Sequence, residues 1–73
     1  MSKTWTAVQS RSLPNLQVLS LNGREVGFIY KPKDSSTDKN AWRCHSGIGD
    51  ANQFLGHNYD ARDARKMVER SVS

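Results

Sequence analysis

The chain has 73 residues, 11 Lys and Arg against 7 Asp and Glu for a net charge of +4, and 36% hydrophobic content. So short a chain supports one domain with a thin core, and leaves little mass to wall a deep substrate pocket. The positive balance favours acidic partners such as nucleic acid, an acidic protein surface or anionic lipid, although a charge of this size also serves plain solubility. The one cysteine, Cys44, forbids an internal disulfide and fits a reducing cytoplasm. No apolar run approaches a signal-peptide core or the about 20 residues of a membrane span. The expected location is the cytoplasm, with no membrane partner.

Residues 1–15 read as an N-terminal arm. Thr4, Trp5, Thr6 and Val8 are strand formers and predict a short edge strand anchored on Trp5. The stretch 9–15 is a loop, since Pro14 cannot donate to a ladder and biases Leu13 away from helix. Residues 16–57 predict the sheet. A strand over 16–21 meets Asn22-Gly23, the pair preferred in a two-residue hairpin turn, and returns over 24–31. An uninterrupted register places Leu21 opposite Arg24, Leu19 opposite Val26 and Gln17 opposite Phe28. Leu19, Leu21, Val26, Phe28 and Tyr30 then share one face, with Leu16, Val18 and Ile29 on the other. Both faces are apolar, which predicts a central hairpin.

The stretch 32–40 is polar and predicts a mobile loop. Alternation over 41–46 predicts a third strand, with Trp42 and Cys44 on one face and Ala41, Arg43 and His45 on the other. Residues 47–52 turn the chain, and 53–57 suggest a short fourth strand. A helix over 60–71 closes the sequence. Asp60 is its expected N-cap, Asp63 completes a pair resembling a capping box, and Tyr59 is placed to staple against Ala64. Ala61, Ala64, Met67 and Val68 line its apolar face, and a helix this short must dock to persist. The fold class is therefore α+β: a single domain with an antiparallel meander of three or four strands and one C-terminal helix packed on a face.

The residues offer little for catalysis. Cys44 with His45 or His57 could make a nucleophile and base, but His45 is its strand neighbour and faces away, and no third orienting group is evident. A metal site would draw on Cys44, His45, His57 and scattered Asp, yet no CxxC or HxxxH pair exists. The Gly47-Ile48-Gly49 turn lacks the ending and following helix of a phosphate loop. The chain is accordingly expected to be a non-enzymatic binding protein without cofactor or metal, acting as a monomer.

Binding surfaces are the better candidates. The helix carries Arg62, Arg65, Lys66 and Arg70 on its outward side, suited to phosphates or an acidic protein face, or else simply solvated. In the arm, Trp5 lies between Lys3 and Arg11 and could anchor an interface, the alternative being that it fills the core. Lys31, Lys33, Lys39 and Arg43 surround the long loop. The expected partner contacts are Trp5, Arg11, Arg62, Arg65, Lys66 and Arg70.

Two resemblances extend this. Residues 27–68, with GFIYKPKD, then AWRCHS, then the helix led by NYDARDARKMV, resemble the three-strand-plus-helix DNA-binding domain of phage integrase N-termini and plant AP2-like proteins. The resemblance implies that the sheet enters the major groove, with Arg24, Tyr30, Lys31, Arg43 and His45 at the matching positions. The acid-flecked loop 32–40 and the sparse arginines depart from that pattern, since arginine is the usual base-specific contact. In size, basic charge and scarcity of cysteine, the whole chain is similar to small phage-encoded regulators of host RNA polymerase, the group of the inhibitor and antiterminator of a Xanthomonas phage. That resemblance implies binding to the polymerase β′ subunit near its N-terminus, block of promoter opening, and passage of terminators during elongation. It carries over no individual residue.

Overall fold

The computed structural model describes residues 2–32 and 41–72. The loop expected over 32–40, with Asp34, Asp38, Lys33 and Lys39, lies outside the described residues apart from Pro32.

An α+β architecture is present, and its sheet has five strands where three or four were expected. The strands are β1 (Lys3–Ala7), β2 (Gln17–Leu21), β3 (Arg24–Tyr30), β4 (Trp42–Ser46) and β5 (Gln53–Asn58), followed by α1 (Ala61–Val72). They lie side by side in chain order and every pair is antiparallel. Both weak strand signals, in the arm and after the Gly47 turn, become full edge strands. β1 pairs with all five residues of β2. Its start is clamped to the hairpin turn, where Asn22 N donates to Ser2 O at 2.9 Å and Ser2 N donates to Asn22 Oδ1 at 3.1 Å. The turn has the predicted form: Asn22 (φ 53°) and Gly23 (φ 82°) both take the left-handed conformation that a two-residue hairpin requires.

The predicted register fails beyond the turn. Leu21 opposes Arg24 and Ser20 opposes Glu25, but Leu19 opposes Gly27, Val18 opposes Phe28 and Gln17 opposes Ile29. Val26 is the extra residue of a β-bulge, which moves every later residue of β3 to the opposite face. Leu19 and Ile29 thus meet in the core, while Phe28 and Tyr30 leave it. A second bulge interrupts β4 and β5, where Cys44 opposes Gly56 and His45 opposes Phe54, leaving Leu55 unmatched.

The helix lies across β3, β4 and β5. Leu19, Ile29, Cys44, Ala64 and Val68 are fully buried between it and the sheet, with Trp5, Val26, Trp42, Leu55 and Met67 packed around them. Burial of a side chain such as Leu19 or Ile29 contributes about 1.5–3 kcal/mol each, so this small cluster carries much of the stability. Gly27 permits the close approach: a Cβ there would stand 2.5 Å from Val68 Cγ1. Asp60 caps the helix as expected, its Oδ1 accepting from Arg62 N at 2.8 Å. Tyr59 does not staple Ala64. It is 72% exposed while Ala64 is buried, because the chain leaves β5 with the ring turned to solvent. Among the described residues no helix is long and apolar enough to cross a membrane.

Candidate functional site

One face of the sheet is covered by α1, and among the described residues no helix or strand packs over the other. Side chains alternate along each strand, so the paired rows define the uncovered face. Thr6, Val18, Phe28, His45 and Phe54 form one row across all five strands. Tyr30, Arg43 and His57 form the next row. The two bulges assemble this face: β3 contributes Phe28 and Tyr30, and β5 contributes both Phe54 and His57 despite their odd spacing.

The rings touch one another. Phe28 and His45 are stacked with centroids 4.6 Å apart and planes 7° apart, and Tyr30 lies 5.8 Å from His45. Phe54 closes the far side, 5.3 Å from His45 and tilted by 60°, and His57 meets it edge-on at 5.1 Å. Such ring pairs contribute about 0.5–1.5 kcal/mol each beyond their area, so the cluster is a semi-rigid surface. Phe54 remains 51% exposed.

Polar contacts fix the imidazoles. Asn52 Nδ2 donates to Gly49 O, which turns Asn52 Oδ1 toward His45 Nδ1 at 3.0 Å. His45 Nε2 is shielded from solvent and, among the described residues, has no hydrogen-bond partner. Leaving such an atom unpaired costs about 1–3 kcal/mol. Arg43 Nη1 donates to His57 Nε2 at 3.2 Å, a direction required because a guanidinium has no acceptor. Arg43 therefore brings a positive charge into an otherwise aromatic face.

The other expected contact residues fall on the covered side. Trp5 is half-buried, and its Nε1 donates to Glu69 Oε2 at 2.8 Å. Lys3 pairs with Glu69 Oε1 at 3.0 Å. Together these hold the Glu69 carboxyl below the usual carboxylate range, with the indole bond as the largest cause. Arg65 is half-buried and donates to Gln17 Oε1 at 3.1 Å. Gln17 also lines an open cleft with Arg11, Val8, Leu16 and Trp42. Arg62, Lys66 and Arg70 are exposed, and the last two border a shallow cleft beside Leu55 and Met67.

Of the sheet residues expected to contact nucleic acid, Tyr30, Arg43 and His45 come together. Arg24 stands exposed at the hairpin end opposite Leu21, and Lys31 is half-buried with its N–H donated to Pro14 O at 3.1 Å. Phe28, Phe54 and His57 were not singled out as surface contacts, and they complete the cluster. Cys44 and His57 are not brought together: Cys44 opposes Gly56 on the helix side, while His57 opposes Arg43. Burial raises the Cys44 thiol above its ordinary pKa, an effect partly offset by Asn58. Among the described residues no group of three or more His, Cys, Asp or Glu gathers where it could hold a metal ion.

No protein-family model, curated protein or solved structure matches the chain. Its surfaces must be interpreted from their own chemistry.

Proposed function

We propose that the protein is a small non-enzymatic transcription regulator that binds host RNA polymerase, at the β′ subunit, and thereby inhibits initiation, promotes antitermination, or both. The partner is suggested by the resemblance in size and charge to phage-encoded regulators. The structural observation in support is the outer side of α1, where Arg62, Lys66 and Arg70 are exposed while Ala64 and Val68 on the inner side are buried. That arrangement offers a rigid cationic ridge, and blockade of a large machine needs only about 800 Å² of interface per partner. Trp5 and Arg65 would support the ridge from beneath, and Arg11 would extend it from the cleft at the arm.

The test uses purified bacterial RNA polymerase, free of nucleic acid, passed over the immobilised protein. Retention at moderate salt, its loss on changing Arg62, Lys66 and Arg70 together to Glu, and reduced promoter-dependent transcription are expected. Polymerase that flows through, with transcription unchanged, defeats the proposal.

A second reading is favoured by the clustering of Tyr30, Arg43 and His45 on the uncovered face. It holds that the sheet binds DNA or RNA directly, in which case capture from a lysate disappears after nuclease treatment and weakens steeply with salt.

A further inference from the structure

We infer that the uncovered sheet face is a stacking track for single-stranded nucleic acid, with Phe54 as its anchor and Arg43 as its phosphate contact. The inference deepens the nucleic-acid reading of the sheet and does not depend on the polymerase.

Three features of the face select this occupant. The first is the ratio of rings to charges. Among the described strand residues of this face, Phe28, Tyr30, His45, Phe54 and His57 share it with one guanidinium, that of Arg43. Duplex DNA presents phosphates and grooves, which call for several Lys and Arg side chains. Unpaired bases present flat apolar surfaces, which call for aromatic rings. The second is shape. The rings form a continuous band from β3 to β5, whereas a protein hot spot is a central pocket sealed by a polar rim. The band reaches β5, an edge of the sheet, so among the described residues it is open on that side to a linear polymer. Within it Phe28 and His45 cover each other's faces, but Phe54 is tilted 60° from His45 and is half exposed, so its ring has surface to give a base.

The third is charge. The chain carries +4 overall. The acid among the strand residues of this face is Glu25, which belongs to the row of Thr4 and Ser20 rather than to the ring band. Arg43 is held in place by its bond to His57 Nε2, and a guanidinium carries further N–H groups of the kind that donate to a phosphate.

The experiment measures fluorescence anisotropy of labelled strands of about 12 nucleotides, oligo-dT and oligo-rU, and a duplex of similar length, against the full chain. Single strands should bind more tightly than the duplex. Phe54→Ala should weaken that binding about tenfold, as loss of one stacked base does. Arg43→Gln should weaken it and flatten its salt dependence. Phe54 is half exposed, so its variant should keep the native circular dichroism spectrum. An Arg62→Glu, Lys66→Glu variant, altered on the opposite side, should retain most of the affinity. Equal binding of duplex and single strands overturns the single-strand inference while leaving the broader nucleic-acid reading intact. Unchanged affinity in folded Phe54→Ala removes the stacking track. Failure of every strand to bind ends both.

Discussion

Glu69 shows how one side chain can join distant parts of a small fold. Its two carboxylate oxygens accept from Trp5 and Lys3, tying the last helical turns to the first strand. The folded-state pKa is lowered, so the associated stability is present above the unfolded carboxylate value and is lost as pH falls through the folded value. Denaturant midpoints should therefore decline as pH drops below about 4.3, and Glu69→Gln should flatten part of that decline. An identical acid limb in both proteins would show that this carboxylate does not control it. Cys44 makes a complementary case. It is fully buried and its thiol is raised in pKa by desolvation, so little thiolate is available. Iodoacetamide should label it slowly in the native protein and rapidly in denaturant, as read by mass spectrometry. Rapid native labelling would mean that the helix opens readily.

At the scale of elements, the bulges decide which residues become surface. Each has a glycine beside the unmatched residue: Gly27 after Val26 and Gly56 after Leu55. Glycine within a strand is a known sign of a bulge or a close backbone approach, and here it marks both. Val68 packs over Gly27, and Met67 lies 3.6 Å from where a Cβ on Gly56 would stand. Gly27→Ala should cost about 1–3 kcal/mol by overpacking against Val68. Adding Val68→Ala should recover part of that loss, a favourable coupling measurable in a double-mutant cycle by urea unfolding. Strict additivity would mean that the His45 carbonyl, 3.0 Å from the same point, governs the cost. Loss of the helix cap is simpler: Asp60→Ala should lower stability by about 1 kcal/mol in the same assay.

For the molecule as a whole, the helix divides the surface into unlike halves. Among the described residues, one side bears a cationic ridge over a buried seam, and the other bears rings with one guanidinium among them. Salt should separate the two. Counterion release scales with phosphate contacts, so single-strand binding at the ring face should show a shallow dependence, on the order of one or two ions. A slope on the order of three would point to the exposed helix cations Arg62, Lys66 and Arg70 as the nucleic-acid contact.

The sequence alone determined the local events. Asn22-Gly23 required a hairpin, Asp60 started a helix, and alternation around Trp42 and Cys44 named a strand, because each depends on near neighbours. The edge strands were faint for the opposite reason, since β1 and β5 persist only through ladders with partners. Tyr30, Arg43 and His45 were legible as candidates because they lie on strands that the local pattern could find. Tertiary structure decided the register, the covered face and the joining of Phe28, Phe54 and His57 to them. A single unmatched residue in a strand exchanges inside for outside, and the strand register, with Val68 and Met67 packed against the two glycines, shows where that exchange occurs.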